Sequence, residues 1–494
     1  MGKYILKRLL KSVVSLFAVM SIIIVMIFEL IPRNKIFAND PAYKKIRGDN
    51  KTVYTYQKYE QLGYLDFQRK PEYCSFIYSD DAEKANRCLK NDSAEQKEAL
   101  AQMAAKGYTA EKFKNGDTFV YHDYSWLELL GNYYSKMFVL DHQNAVQDPN
   151  NPDMERGYRW EKNPDNGSPA LVCSGCRYKY QLYFNGKFPF IHSNVLHMNF
   201  GDSYPTNQGI PVLEVISSGQ GKMKNTEQTF PSGAQQSSAI IQTSCKYKES
   251  IDKRDAKKFS DNYADCLNAY SDPSMINTSY LIGLLSLVLA YAFGLPMAID
   301  MAQHKGKFRD RLGIAYINVL IAVPSLAFIF FMRSIGTLFG LPDKFPMLGF
   351  GDIRSYIMPV IILGLLNTPS LMMWVRRYMI DQTSADYVKF ARAKGLSNKE
   401  IFNRHILRNA IIPIVNAIPS SVILCISGAF ITESAFAVPG MGKMLPDAIT
   451  QTNNNMIIAL SFIFTALSIL AVLLGDVLMT WVDPRIQLTA KEGD

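Results

Sequence analysis

The cysteines are the residues of this 494-residue chain with the clearest capacity for chemistry. Cys425 lies in an apolar run, and the other six share one polar stretch: Cys74, Cys88, Cys173, Cys176, Cys245 and Cys266. An even number confined to one region predicts disulfides in an oxidising compartment, with six free thiols as the alternative. Cys173-x-x-Cys176 also has the spacing of a redox pair or of half a zinc site. No His or Cys partner at metal spacing lies nearby, so we predict no metal site.

Motifs for hydrolytic chemistry are missing from the sequence. G-x-x-x-x-G-K-[ST] does not occur, since no Gly-Lys pair is followed by Ser or Thr, and neither H-E-x-x-H nor G-x-S-x-G occurs. We therefore predict that the chain is not an enzyme. Glu433 and Asp476 lie in apolar surroundings, where carboxylates are often functional. Both are within a turn or two of a predicted interface, which favours structural roles.

The segment 381–415 predicts two short helices that meet at a glycine. Thr383–Asp386 and Ser397–Glu400 both have the spacing of a capping box, which starts a helix. Gly395 suits the left-handed residue that ends one. The second helix should run through Arg408 into the next apolar run. A basic amphipathic loop lying on anionic lipid is the alternative.

Long apolar runs predict six membrane-spanning helices, because about 20 apolar residues cross ~30 Å of hydrocarbon. The fourth run is interrupted by Pro359, Gly364 and Pro369, which membrane helices tolerate. The predicted spans lie near 9–32, 277–299, 312–335, 356–377, 410–432 and 456–482.

Basic residues predict the orientation of these spans. Residues 1–11 carry four Lys or Arg and no acid, and the loop from Arg376 to Arg408 carries eight. By the positive-inside rule both termini are cytoplasmic, and the polar residues 34–275 are extracellular. We predict a multi-pass protein of the plasma or inner membrane. A cleaved signal peptide is the alternative for the first span, but that span is long and no clean small-x-small site follows it.

The order of residue types in this loop favours a specific function over an amphipathic loop that lies on lipid. ARAKGL (391–396) followed by RHILRNAIIP (404–413) closely resembles the coupling loop of ABC importer permeases, in the form of the oligopeptide and dipeptide permease family. The resemblance departs at Lys389 and Phe390, where the general pattern has Glu and Ala. It implies that the loop inserts into a groove on an ATPase subunit, through Asp386, Ala391, Arg392, Ala393, Lys394, Gly395, Leu396, Ser397, Glu400, Arg408, Asn409 and Pro413.

Further segments resemble the same family in order along the chain. They are YILKRLLKSV (4–13), LIGLLSLVLAYAFGLPMAI (281–299), AVPSLAF (322–328), SYIMPVIILGL (355–365), ESAFAVPGMGKMLPDAI (433–449) and WVDPRIQL (481–488). The resemblance implies an all-α type I ABC importer permease fold with six transmembrane helices and a large mixed α/β extracellular insertion. It also implies an outer re-entrant gate segment that contains Glu433, Phe436, Pro439, Gly440 and Gly442.

The polar block, residues 34–275, is only partly similar to the family. Residues 124–138 resemble its amphipathic helix, and 199–217 resemble a second family segment. The rest comprises three insertions, for which we expect strands and loops, near 42–120, 140–196 and 218–272. Each holds two cysteines, which favours local pairing among fifteen possible connectivities. The block either docks a substrate-binding lipoprotein or forms a stabilising shell.

Together these features predict the B-type permease subunit of an ATP-driven oligopeptide importer. The chain itself would hold no cofactor, since ATP and magnesium would bind to two partner ATPase subunits. A homologous second permease subunit, a substrate-binding lipoprotein, peptide and membrane lipid are the other partners implied, and nucleic acid is not. The alternatives are a dipeptide or nickel permease subunit of the same family, or a membrane-anchored receptor. The predicted units are an N-terminal helix (1–33), the extracellular domain (34–275), a five-helix permease core (276–482) with its coupling loop (376–409), and a cytoplasmic tail (483–494).

Overall fold

The chain begins with one long apolar helix. The structure is a computed structural model that describes residues 2–185 and 190–482. Helix α1 (Gly2–Leu30) has polar residues concentrated in its first three turns and a nearly unbroken apolar stretch after them. The predicted tail 483–494 and most of the 481–488 segment lie outside the described residues.

The first part of the polar block is a small α/β unit. Its strands form an antiparallel sheet in the order β1-β3-β2, and short helices pack beside it around a buried core that includes Cys74 and Cys88. These helices go beyond the strands and loops expected here. The elements are α2 (Pro41–Lys45), α3 (Asp49–Gln61), β1 (Leu65–Arg69), α4 (Lys70–Ile77), α5 (Ala82–Cys88), α6 (Ala94–Ala105), β2 (Thr109–Lys112), β3 (Thr118–Asp123) and α7 (Trp126–Met137).

The second part of the polar block is built from short antiparallel strands. A four-stranded sheet has the order β5-β6-β7-β8, and two-stranded ribbons pair β4 with β9, β10 with β15, β11 with β12 and β13 with β14. The elements are β4 (Phe138–Leu140), β5 (Gly157–Lys162), β6 (Pro169–Ser174), β7 (Tyr180–Phe184), β8 (Ile191–Ser193), β9 (Leu196–Met198), α8 (Val212–Ser217), β10 (Gln220–Met223), β11 (Thr226–Thr229), β12 (Gln235–Ser238), β13 (Lys246–Tyr247), β14 (Tyr263–Asp265) and β15 (Tyr270–Asp272).

The remainder of the described chain is helical. Together with α1, it supplies five helical segments long and apolar enough to cross a membrane, or six if the bent pair α10–α11 counts as one span. The helices are α9 (Met275–Gln303), α10 (Phe308–Ala322), α11 (Ser325–Leu338), α12 (Arg354–Thr383), α13 (Asp386–Ala393), α14 (Asn398–Glu400), α15 (Leu407–Ala410), α16 (Ile412–Leu424), α17 (Phe430–Phe436), α18 (Met444–Thr450) and α19 (Asn454–Val482).

The third and fifth predicted spans differ from the structure, and the fourth does not. The third is two helices bent by 105° between Ala322 and Ser325, because Pro324 lacks the N–H that would continue the helix. The fourth tolerates its helix breakers as expected, since α12 runs through both of its prolines. The fifth spans Asn398–Ser427 and ends at Gly428, which has a φ of 70°, so α17 is a separate helix.

Small residues bring the membrane helices together. A Cβ atom added to Gly294 of α9 would lie 3.1 Å from Thr368 of α12, and one added to Gly364 would lie 2.5 Å from Leu289. Close approach at small residues is the usual way in which membrane helices gain packing contacts. Helices α9 and α12 therefore form a tightly packed pair that holds the surrounding elements.

Three consecutive asparagines fasten the polar block to α19. Asn453 donates to the Ser203 hydroxyl over 2.8 Å, Asn454 to the Tyr64 hydroxyl over 2.5 Å and Asn455 to the Asp202 carbonyl over 2.9 Å. All three amides are buried. A buried polar group that lacks a hydrogen-bond partner destabilises the folded state. These bonds therefore hold the polar block at the N-terminus of α19.

Three disulfides lie in the polar block, each within one of the three insertions. They join Cys74 to Cys88, Cys173 to Cys176 and Cys245 to Cys266. Cys425 is unpaired and partly buried.

Candidate functional site

The structure forms an elbow between α12 and α16, defined here as residues 386–410. Gly395 lies between α13 and α14 with a φ of 80°, a conformation that strains any residue with a Cβ. Its N–H donates to Arg392 and the Leu396 N–H donates to Ala391, so two carbonyls at the end of α13 are satisfied. The turn is therefore specified by the glycine.

One of the two predicted helix caps is present. The Ser397 hydroxyl accepts from the Glu400 N–H over 3.3 Å, and the Glu400 carboxylate accepts from the Ser397 N–H over 3.0 Å. The cap predicted at Thr383 is wrong, because α12 continues to that residue and its hydroxyl donates back to the Ile380 carbonyl over 2.6 Å. Helix α13 instead starts after Ala385, which has no capping side chain.

The inner face of the elbow is apolar and packs against the ends of the membrane helices. Val388, Ala391 and Ile401 are buried in one cluster with residues of α9, α10 and α12. The second arm passes through a π-helical stretch, Ile401–Ile406, and enters α16 without a break, with Pro413 in the first turn of that helix. A displacement of the elbow would therefore be transmitted directly to α16 and α12.

The outer face of the elbow presents a basic, partly aromatic surface. Phe390 is 72% exposed, and Lys389, Arg392 and Lys394 are exposed around it. Ala393 and Gly395 are exposed as well, so the backbone itself is accessible at the turn. An exposed phenylalanine on a basic surface is suited to contact with another protein.

A buried ion pair supports the elbow, and no local sequence pattern predicts it. Asp310, at the start of α10, accepts from the Arg376 guanidinium of α12 over 2.6 and 2.8 Å and from the Gly306 N–H over 2.8 Å. The partners are 66 residues apart, so spacing alone could not reveal them. The pair holds the α9–α10 connection against the arm of α12 that carries the elbow.

Glu433 sits at the opposite end of α16 in a cage of hydrogen-bond donors. Its carboxylate accepts from the Ser279 hydroxyl over 2.6 Å and from the N–H groups of Ala429 and Lys443, each over 3.3 Å. Cβ atoms added at Gly440 or Gly442 would lie within 3 Å of the carboxylate. The predicted gate segment is thus folded around one buried carboxylate.

The other predicted gate residues belong to the same segment. Phe436 is buried, and its carbonyl accepts from the Phe345 N–H over 2.8 Å. The Pro439 carbonyl accepts from the Gln220 amide of the polar block over 3.3 Å. The gate segment therefore touches both the helical core and the polar block. The elbow lies about 20 Å away, at the other end of the 13 residues of α16.

A groove of about 600 Å³ opens between α9, α12 and α16, in the region that separates the elbow from the gate segment. Tyr291, Trp374 and Tyr378 contribute aromatic rings to its wall, and Asn367 and Ser421 contribute polar groups. Within the described residues, its lining includes no Asp, Glu, His, Lys or Arg. Such a surface can contact apolar and polar groups without forming an ion pair with either.

No metal centre accompanies these sites in the described ranges. Residues 2–185 and 190–482 contain no group of three His, Cys, Asp or Glu side chains placed to hold an ion. Asp476 instead forms an ion pair with Arg8, which joins α19 to α1.

A bundle of apolar helices with a groove at one side and an exposed elbow at one end defines a membrane-embedded transporter subunit. Residues 290–488 match the family described as "Binding-protein-dependent transport system inner membrane component". The chain is 42% identical over 499 aligned residues to the oligopeptide transport system permease protein AmiC of Streptococcus pneumoniae, with both chains covered completely. This protein therefore belongs to the ABC importer permease family and is a permease subunit.

Other relatives match only part of the chain. The dipeptide transport system permease protein DppB of Lactococcus lactis subsp. cremoris is 33% identical over 217 residues, which cover 42% of this chain and 69% of DppB. The methionine ABC transporter MetNI, solved in inward-facing conformations, is a structural neighbour with a TM-score of 0.33 and 15% identity, covering 42% of this chain and 94% of that chain.

Proposed function

We propose that this subunit carries oligopeptides across the membrane and that its elbow receives the ATP-driven movement of a partner ATPase. The exposed, glycine-hinged elbow is the observation that carries this proposal. Its outer face offers Phe390 and exposed basic side chains, while its inner face is packed against the helices that line the groove. ATP and magnesium would bind to two ATPase subunits, which would move the elbow as they close.

The groove is proposed as one half of the translocation pathway. It is open at one side, so a homologous second permease subunit is required to close it. Its charge-free lining suits peptides of varied sequence, and the identity to AmiC supports an oligopeptide substrate. A nickel pathway is less favoured, since the described lining offers only Cys425 as a soft ligand.

The basic loops support an orientation with the elbow in the cytoplasm and the polar block outside the cell. In this orientation the three disulfides lie in an oxidising environment. An extracellular substrate-binding lipoprotein would deliver peptide to the gate segment, and the polar block lies beside that segment through the Gln220–Pro439 contact. The units 1–33, 34–275 and 276–482 then correspond to an anchor helix, a receiving domain and the permease core.

Site-directed crosslinking in the intact membrane tests the coupling role. Ala393→Cys, in a Cys425→Ser background, should crosslink to a nucleotide-hydrolysing protein and do so differently with and without ATP. Lys307→Cys is the matched control, because it is also exposed at this end of the helices but lies on the α9–α10 connection. Equal crosslinking from both positions, or none from Ala393→Cys, would remove the elbow from the proposal.

Reconstituted uptake tests the substrate. The complex purified with its partners should import an oligopeptide in an ATP-dependent manner, and a dipeptide or nickel less efficiently. Preferential uptake of nickel or of dipeptides would identify one of the alternative permeases. Failure to co-purify any ATPase subunit would contradict the coupling proposal.

A further inference from the structure

Helix α7 of the polar block runs alongside α1 rather than away from the membrane. Near its start, Asp123 forms an ion pair with Arg33, three residues beyond the end of α1. Near its end, the Tyr134 ring lies 5.3 Å from the Phe17 ring. Phe17 precedes Leu30 by 13 residues, which is about 20 Å along a helix. Helix α7 is therefore antiparallel to α1 and descends along it.

The end of α7 reaches the depth of the hydrocarbon. The apolar segment of α1 is Leu6–Leu30, and Phe17 is close to its middle. Tyr134 donates its hydroxyl to the Phe17 carbonyl over 3.1 Å and lies 2.9 Å from the Ser21 hydroxyl, so this contact leaves the polar groups satisfied. Pairing of this kind is what a low-dielectric environment requires.

A second contact independently places this region below the start of a membrane helix. The Asn199 N–H donates to the Met137 carbonyl at the end of α7 over 2.7 Å. The next residue, Phe200, lies with its ring 5.3 Å from that of Phe462. Phe462 is eight residues, or about 12 Å, inside the apolar helix α19. Two membrane helices thus place the end of α7 below the level at which the spans begin.

The ribbon that follows α7 presents an apolar face at this level. Phe138 pairs with Met198 and Leu140 with Leu196, so all four side chains share one face of β4–β9. Leu140 is 61% exposed, Leu196 58% and Phe138 40%. His197, on the opposite face, lies 5.2 Å from the Tyr178 ring of the polar block.

The apolar face adjoins the exposed surface of α1. Leu10 and Val14 are exposed large apolar side chains on the Phe17 side of that helix, and the Phe17 and Phe138 ring centroids are 6.0 Å apart. Trp126, half-exposed at the start of α7, lies near the level of Arg33, where the apolar segment of α1 has ended. Tryptophan favours this boundary between hydrocarbon and water.

We propose that the apolar face of the β4–β9 ribbon lies against the acyl chains of the membrane leaflet on the polar-block side. The occupant of the apolar face is lipid, because the face continues the exposed surface of a membrane-spanning helix at mid-span depth. The polar block is then held by the bilayer as well as by the Asn453–Asn455 bonds. The proposed orientation of the protein decides only which leaflet this is.

Spin labels on the complete transporter in proteoliposomes test the insertion. Leu140→Cys and Leu196→Cys are labelled in a Cys425→Ser background, since the other six cysteines are paired. Relaxation by oxygen, which concentrates in hydrocarbon, is compared with relaxation by a water-soluble nickel chelate. Val14→Cys on α1 is the lipid reference, and Phe76→Cys, exposed on α4, is the matched aqueous reference.

The expected result is that both ribbon labels resemble Val14→Cys, with oxygen accessibility several-fold above nickel accessibility. Labels that respond to nickel as Phe76→Cys does would place the ribbon in water and overturn the proposal. Labels shielded from both reagents would show that a second protein subunit covers the face, which would overturn it as well. ATP-dependent uptake by each variant verifies that the complex has assembled.

Discussion

At the scale of single residues, Glu433 is the group on which the gate segment most depends. Its carboxylate gathers donors from α9, from the turn before α17 and from the turn after Gly440. Hydrogen bonds to a carboxylate stabilise the fold more than hydrogen bonds to a neutral acceptor, because each N–H or O–H donates to a negatively charged oxygen. No side chain larger than that of glycine fits at Gly440 or Gly442, because its Cβ atom would lie within 3 Å of this carboxylate.

Glu433→Gln should therefore destabilise the gate segment. The amide nitrogen would face N–H groups that need an acceptor, and the cost of a buried group left unpaired is about 1–3 kcal/mol. Thermal unfolding of the purified complex should occur at a lower temperature, with reduced uptake. Asp447→Asn, a matched change at an exposed acid of α18, should leave both unchanged. Equal melting temperatures for the two variants would contradict the caging role.

Asp40 makes the polar block sensitive to acid. Burial alone raises the pKa of Asp40, but hydrogen bonds from Tyr204, Tyr54, Gln208 and the Ala42 N–H outweigh it and lower the pKa from 3.8 to about 2. A group whose pKa falls on folding stabilises the fold above its unfolded pKa and loses that contribution as pH falls through the folded value. We expect the block to lose stability between about pH 4 and pH 2.

Asp40→Asn should remove this pH dependence and lower stability at pH 7 by about 1–3 kcal/mol. Unfolding of the complex at several pH values, followed by tyrosine absorbance, measures both effects. Asp80→Asn, at an exposed acid of the same unit, is the control. A difference between Asp40→Asn and the parent protein that is as large at pH 2 as at pH 7 would exclude the proposed linkage.

The residue-scale predictions that are correct depend on local chemistry. The left-handed turn at Gly395 and the Ser397–Glu400 cap are predictable from the sequence, because each depends on hydrogen bonds between residues no more than five positions apart. The Thr383 cap failed because α12 extends through that residue, and a single sequence does not show how far tertiary packing prolongs a helix. The Asp310–Arg376 pair joins distant segments, so no local pattern contains it.

At the scale of elements, the elbow turn itself can be tested against a turn of equal strain. Gly395 and Gly340 have φ values of 80° and 74°, and a Cβ at either would meet nothing within 4 Å. Replacing either by Arg should cost about 1–2 kcal/mol of backbone strain. Gly395→Arg should nevertheless abolish uptake while membrane insertion is retained, whereas Gly340→Arg should largely preserve uptake.

ATP-dependent uptake and the amount of assembled complex are measured for both glycine variants. If Gly395→Arg transports as well as Gly340→Arg, then a side chain at the turn does not obstruct the ATPase contact and the elbow is not the coupling element. Loss of the complex in both variants would point to strain alone as the cause.

Element boundaries show what periodicity can and cannot predict. The amphipathic helix at 124–138, expected from the resemblance to the permease family, is confirmed as α7. The 105° bend at Pro324 was not predicted, although proline marks it, since α12 passes through two prolines without breaking. Whether a proline bends a membrane helix depends on its neighbours, which hydropathy does not reveal.

At the scale of the whole molecule, the polar block and the helix α19 should behave as one body. Asn453 bonds to Ser203 over 2.8 Å and to the Thr206 hydroxyl over 3.3 Å, at a fully buried site. Asn453→Ala should lower the unfolding temperature of the block and expose it to protease. The loss should be about 1–3 kcal/mol, because it leaves buried partners unpaired.

Limited proteolysis and thermal unfolding of the complex provide the measurement for Asn453→Ala. Asn403→Ala, at an exposed amide of the elbow, is the control for loss of an asparagine side chain. Identical protease sensitivity in the two variants would mean that the Asn453 bonds do not hold the block and that other contacts do.

The three disulfides have a consequence for how such a chain can be altered. Each bridge closes a segment of its own, with separations of 14, 3 and 21 residues, and none ties one insertion to another. An insertion closed in this way carries its own crosslink, so its acquisition or deletion need not disturb the crosslinks of its neighbours. Each of the three insertions can therefore be replaced or removed without breaking a disulfide in either of the other two.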